Sequence, residues 1–191
     1  WLITDEVYER IVYDSPHVSF LGAGYDKLVM VQSFSKTFAM TGWRIGYLLS
    51  PDPELMRELT KMQYYVTACS NDAMQHAVLE ALERYPSYPE EMCAEFKERR
   101  DLICERLNAM PGVSCHVPTG AFYVFPRVEV PGMNSEEIAM ALLEGGVLCS
   151  PGTAFGAAGE GHLRFAYTIG REDIDRGMDR VEAVLARLRG D

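Results

Sequence analysis

The 191-residue sequence is short of positive charge: 18 Lys and Arg stand against 28 Asp and Glu, a formal net charge of −10. Only four residues are lysines (Lys27, Lys36, Lys61 and Lys97), and the basic doublet Arg99-Arg100 has acidic neighbours. Such a surface repels phosphate backbones and anionic headgroups. It excludes nucleic acid and membrane as partners of the surface as a whole, but leaves room for a local small-anion site. No apolar run approaches the roughly 18 residues of a spanning helix, and no secretory signal pattern lies within these residues. Cys69, Cys93, Cys104, Cys115 and Cys149 are odd in number and contain no C-x-x-C, which argues against a disulfide framework or a metal site. Core thiols in a reducing compartment are expected, with cytoplasm as the default. The sequence also lacks an initiator Met, an internal repeat and a low-complexity tract. It opens Trp1-Leu2-Ile3-Thr4-Asp5, in the middle of what reads as a buried strand, so a piece of a longer protein is expected.

What is present is an ordinary globular mixture, 48% hydrophobic and 24% charged, enough for one large or two small domains. Trp1–Thr4, Lys27–Gln32 and Arg44–Leu49 are short apolar runs between turn residues and read as α/β-sheet strands buried on both faces. Ser50-Pro51-Asp52-Pro53 ends the third, and a helix follows to about Tyr65. Helical spacing returns from Asn71 to Tyr85-Pro86 and again from about Pro89 to Met110, where Cys93 and Cys104 share nearly one face. Val113–Val117 and Ala121–Phe125 read as a strand pair around Pro118-Thr119-Gly120. A short helix over Ser135–Leu143 has Asn134 as its cap. Strands are expected at Val147–Cys149 and Leu163–Tyr167, and a final helix over Arg171–Arg189 carries Ile174, Met178, Val181, Leu185 and Leu188 inward. The expected organisation is residues 1–84 as part of an α/β domain with its connecting helices, and residues 85–191 as a small α+β domain.

The stretch Ser33-Phe-Ser-Lys-Thr-Phe-Ala-Met-Thr-Gly-Trp-Arg-Ile-Gly46 carries the chemistry. It follows the strand KLVMVQ, beyond whose carboxyl end α/β proteins bind ligands. Lys36 is flanked by small hydroxyl and aromatic residues, which favours a nucleophile or base if the site is desolvated. Ser33-x-x-Lys36 also fits the S-x-x-K of serine β-lactamases, but the companion S-D-N and K-T-G elements are missing. A second reading combines Ser33, Ser35 and Arg44 as a phosphate site, with Gly42 and Gly46 allowing close backbone approach. If the first strand neighbours KLVMVQ, Asp5 and Tyr8 lie at the same sheet edge as Lys36. A lysine, an acid for a protonated ring nitrogen and phosphate donors are together what pyridoxal phosphate demands.

With Pro118-Thr-Gly-Ala-Phe-Tyr123, Val147-Leu-Cys-Ser-Pro-Gly-Thr-Ala-Phe-Gly156 and His162-Leu-Arg-Phe-Ala166, the pattern resembles the class I/II aminotransferases of the fold-type I pyridoxal-phosphate enzymes. The resemblance implies the C-terminal part of a large domain with a partial mixed sheet, plus a small C-terminal α+β domain. It implies that Lys36 attaches pyridoxal 5′-phosphate and shuttles a proton, that Asp5 keeps the ring nitrogen protonated, and that Tyr8 bonds the ring hydroxyl. Ser33, Ser35 and Arg44 would hold the phosphate, and Arg164 the α-carboxylate of an amino-acid or 2-oxo-acid substrate. No metal is implied, and a homodimer is expected for the full-length protein.

The family's N-terminal half, with its glycine-rich turn and ring-stacking aromatic, has no counterpart here; Gly22-Ala-Gly24 is only a loop. The segment alone is therefore expected to be inactive, to bind cofactor weakly and to associate through open sheet edges. Two other functions fit the residues: a C–S lyase or decarboxylase on the same scaffold, and an aminotransferase-like sensor domain of a transcriptional regulator. His116 and His162 read as ordinary hydrogen-bonded histidines.

Overall fold

The computed structural model describes residues 1–190, which divide into two compact units, Trp1–Cys93 and Ala94 onward. The first unit is built on a three-stranded mixed sheet of β1 (Leu2–Asp5), β2 (Leu28–Ser33) and β3 (Gly46–Leu49). β1 runs parallel to β2 with Asp5 opposite Val31, and β3 runs antiparallel with Gly46 opposite Ser33. α1 (Phe34–Thr37) follows β2 directly, and α2 (Pro53–Thr67) and α3 (Asp72–Arg84) follow β3. Asp52 caps α2 by accepting from the amides of Glu54 and Leu55, and Asn71 caps α3 by accepting from Met74, so both helices start at a side-chain oxygen.

Alternation along the strands sorts the sheet into two unequal faces. Leu28, Met30 and Gln32 point to one face and are buried; Ile3, Asp5 and Val31 point to the other, where Ile3 is 71% exposed. The expectation of strands buried on both faces is thus corrected. Sandwiching a sheet takes a layer on each side, and the second face of this unit is only partly covered.

α4 (Tyr88–Ala109) begins in the first unit, where Cys93 donates its thiol hydrogen to the Val12 carbonyl at 3.1 Å and Tyr88 stacks on Phe38. The second unit contains the rest of α4, α5 (Ser135–Glu144) and α6 (Arg171–Arg189), with short antiparallel strands. β4 (Val113–Ser114) pairs with β6 (Arg127–Val128), while β5 (Tyr123–Val124) and β7 (Ser150–Pro151) flank β8 (Leu163–Ala166). Its core is made by Ile103, Leu107, Val124, Ile138, Leu142, Leu163, Tyr167, Val181 and Leu185, all buried. The apolar stripe of α6 supplies Ile174, Met178 and Val181 to it, and Arg106 on α4 reaches Asp175 and Asp179 of α6 at 2.8 and 2.5 Å.

The expected hairpin around Pro118-Thr119-Gly120 does not form. The amide and carbonyl of Cys115 are both taken by the side chain of Asn108, at 2.8 and 2.9 Å, and so are unavailable to a ladder. Buried Arg100 donates to the Pro118 carbonyl at 3.0 Å, and Ala121 takes a left-handed φ of 59° while its carbonyl accepts from Tyr167. The strand expected at Val147–Cys149 lies instead at Ser150–Pro151, because the Val147 amide is drawn to Leu142 at the end of α5. None of the five cysteines forms a disulfide. Cys104 and Cys115 are the buried pair, with sulfurs 3.9 Å apart, whereas Cys69 is exposed and not the core thiol expected.

Candidate active site

The sheet brings the ends of β1 and β2 together. The last ladder bond runs from the Glu6 amide to the Val31 carbonyl at 3.0 Å, immediately after Asp5. Asp5 is exposed on the open face, and its Oδ1 accepts from the Val7 amide at 3.2 Å, which tightens the turn leading to Tyr8. Lys36 follows β2 by three residues, and its Nζ stands 6.0 Å from the centre of the Tyr8 ring. The parallel pairing therefore sets the Asp5–Tyr8 turn beside the lysine-bearing turn.

Local chemistry shapes that second turn. Ser33 is the N-cap of α1: its Oγ accepts from the Ser35 amide at 3.1 Å and lies 2.9 Å from Ser35 Oγ. Arg44 has a left-handed φ of 51° and donates from Nη1 to the Thr41 carbonyl at 2.9 Å. Ser33, Ser35 and Arg44 all line a cavity of about 630 Å³, bounded further by Val31, Leu48 and Met56. Asp5 and Lys36 are not among its lining residues. Two hydroxyls and a guanidinium lining one cavity suit a phosphate ester, which takes charge-assisted hydrogen bonds.

The two glycines expected to permit close approach differ. A Cβ on Gly46 would stand 2.5 Å from the Gln32 carbonyl oxygen, so that position demands glycine; a Cβ on Gly42 would meet nothing within 4 Å. Of these two, Gly46 is the one that packing within the chain requires.

Arg164 belongs to the second unit. Its guanidinium lies 4.8 Å from the centre of the Tyr123 ring and 4.5 Å from that of Phe155, and Nη2 donates to Ser150 Oγ at 3.4 Å. The rings hold the guanidinium while its charge remains available to a carboxylate. In the same unit, His162 stacks on Phe125 and lies 3.1 Å from the Glu160 carbonyl through Nδ1.

Sequence reasoning missed two residues. Glu6 is buried at 3% exposure and accepts from His17 Nε2 at 2.9 Å and from the Phe20 amide at 3.1 Å. Burial pushes its carboxyl up, but the hydrogen bonds from His17, Ser19 and Phe20 win and hold it below the ordinary carboxylate range. Buried Gln32 donates from Nε2 to the Glu6 carbonyl at 2.9 Å, and its Oε1 accepts from the Ser33 amide at 2.9 Å. The one available signal was a Gln inside an otherwise apolar strand.

A mixed sheet with a lysine-bearing turn and an anion-suited cradle beyond its central strand defines an α/β chain of the fold-type I kind. The chain belongs to the family Aminotransferase class I and II, whose profile matches residues 1–181. It is 40% identical over 189 residues to an aspartate aminotransferase of Pyrococcus horikoshii, covering 97% of this chain and 48% of the relative. Aromatic-amino-acid aminotransferase 2 of Thermococcus litoralis is 40% identical over 190 residues, with 96% and 48% covered. The solved structure of Thermus thermophilus aspartate aminotransferase with maleate matches at a TM-score of 0.90 and 34% identity, over 97% of this chain and 48% of that one. The chain thus spans about half the length of the curated relatives it matches.

Proposed function

We propose that the protein carrying this chain is a pyridoxal-phosphate-dependent aminotransferase, moving an amino group between an amino acid and a 2-oxo acid, and that this chain contributes its attachment lysine. The observation that carries the reading is the parallel β1–β2 pairing, which sets Asp5 and Tyr8 beside the Ser33–Lys36 turn. The donor set fits the group: hydroxyls and a guanidinium for a phosphate, a carboxylate for a cationic ring nitrogen, and an amine for an aldehyde.

When bound, the cofactor supplies an electron sink that makes the substrate Cα–H bond labile. Asp5 holds a proton at the ring nitrogen, because a carboxylate favours the charged form of a base beside it. Tyr8 donates its hydroxyl hydrogen to the ring oxygen. Lys36 would hold the cofactor covalently through its aldehyde carbon and would serve as the general base for the proton at the substrate Cα. Ser33 and Arg44 bind the phosphate, with Ser35 beside them, and Arg164 binds the α-carboxylate through its planar fork. The reading extends to a homodimer of the whole protein and to the cytoplasm, where free cysteines are at home. Among the described residues no helix is long and apolar enough to cross a membrane.

The test is to add pyridoxal phosphate to the whole protein, reduce with borohydride and map the modified peptide. A stoichiometric adduct on Lys36, absent from Lys36→Ala, is expected together with formation of an oxo acid and a new amino acid. No adduct refutes the cofactor reading, while pyruvate plus ammonia as products would make the protein a lyase.

A further inference from the structure

At the carboxyl edge of the sheet, β1 and β2 stop exchanging backbone hydrogen bonds at the Glu6 amide. The next acceptor on the β1 side, the Glu6 carbonyl, and the next donor on the β2 side, the Ser33 amide, are each met by a side chain instead. The buried side chain of Gln32 takes both, one with each end of its amide, at 2.9 Å. It thereby ties the residue after Asp5 to the residue that begins the Ser33–Lys36 turn.

The opposite side of that join is also fixed. Glu6 is clamped by its own amide, by the Gln32 amide on its carbonyl, and through its side chain by His17 and the Phe20 amide. Among the described residues no buried side-chain nitrogen or oxygen lacks a hydrogen-bond partner, and both ends of the Gln32 amide are engaged. A primary amide can donate to a carbonyl and accept from an N–H at once, through two separate atoms at the end of one side chain. Val, Leu or Met would fill the strand position equally well and tie nothing.

We infer that Gln32 is a positioning residue: it sets the distance between the acid Asp5 and the Ser33–Lys36 turn, and through it the protonation of the bound ring. The inference rests on the pyridoxal-phosphate reading above. An error of about 1 Å in such a constellation can cost on the order of a hundredfold in rate, even when introduced away from the reacting atoms.

The experiment compares the whole protein with Gln32→Met, which keeps the volume and removes both hydrogen bonds. Two quantities are read after loading with pyridoxal phosphate: the pH midpoint of the absorbance of the lysine-bound cofactor, and kcat with KM. Gln32→Met is expected to lower kcat by about tenfold to a hundredfold with KM nearly unchanged. It should move the midpoint upward, because a ring nitrogen that Asp5 no longer keeps protonated stops disfavouring a proton on the neighbouring lysine nitrogen. In an Asp5→Asn background the same substitution should shift the midpoint little further, since Gln32 acts through Asp5. If Gln32→Met does not fold, Gln32→Glu keeps the bond from Ser33 and loses the one to Glu6, and the midpoint should still move. A variant that melts earlier but keeps the wild-type midpoint and kcat overturns the inference and leaves the cofactor reading intact. An unaltered protein that forms no Lys36 adduct overturns both.

Discussion

Replacing Gly46 by alanine tests how closely β3 approaches β2. The added Cβ would stand 2.5 Å from the Gln32 carbonyl oxygen and 3.2 Å from the Ser33 Cα, both backbone atoms that cannot rotate aside. Contact at that range is far inside the 3.5–4.0 Å optimum for carbon pairs, so β3 must move away from β2. Overpacking of this kind costs about 1–3 kcal/mol. For a unit of this size that is a fall in Tm on the order of 4–8 °C per kcal/mol. The move falls on the pair Ser33–Gly46, next to the bonds from the Phe34 amide and Ser33 Oγ to the Ile45 carbonyl, both at 3.3 Å. The cap of the Lys36 turn therefore shifts with it, and phosphate-ester affinity should drop as well. Gly42→Ala is the control, because its Cβ meets nothing within 4 Å; it should change stability by less than about 0.5 kcal/mol. Urea melts of both variants, followed by titration with pyridoxal phosphate, give the result. A Gly46→Ala protein as stable as the unaltered one, with unchanged affinity, would refute the packing argument.

Three further outcomes are expected. The folded carboxyl of Glu6 lies below its ordinary value of 4.5, so its contribution is complete above that value and is lost as pH falls through the folded one. Glu6→Gln should therefore lose about 1–3 kcal/mol at pH 7 and flatten the acid limb of the stability profile; equal acid sensitivity in both proteins would contradict it. Asn134 accepts from the amides of Glu136 and Glu137 and donates its own amide to the Glu137 carboxylate. Asn134→Ala should cost about 1 kcal/mol by denaturant melt, and a neutral result would mean that the capping box contributes nothing. Arg164→Lys loses the planar fork that lies against Tyr123 and Phe155. Binding of a carboxylate ligand should weaken about tenfold to a hundredfold, and an unchanged dissociation constant would remove Arg164 from that role.

Helices were legible where one face repeats. α6 spans Arg171–Arg189 because its apolar stripe and flanking glycines are local, and α5 starts at Asn134 because a cap needs only its next three residues. Pairings between distant segments were not. Val113 and Tyr123 both look like strand residues, yet β4 pairs with β6 and β5 with β8. What diverts them is Asn108 on α4 satisfying Cys115, with Arg100 holding Pro118 from 18 positions away, and no propensity or period marks which side chain takes those backbone groups.

The low count of lysines and basic clusters, the D-E-V-Y and S-F-S-K segments and the helix periods are properties of the chain itself, set by composition and near neighbours. That β1 and β2 lie side by side, that Gly46 and not Gly42 is pressed against backbone, and that Gln32 joins Glu6 to Ser33 are decided only in three dimensions. Apart from the bond between the neighbours Gln32 and Ser33, they depend on hydrogen bonds and contacts between residues 13 to 26 positions apart. Such partners are chosen by the competition for buried donors and acceptors over the whole unit, not by the residues on either side.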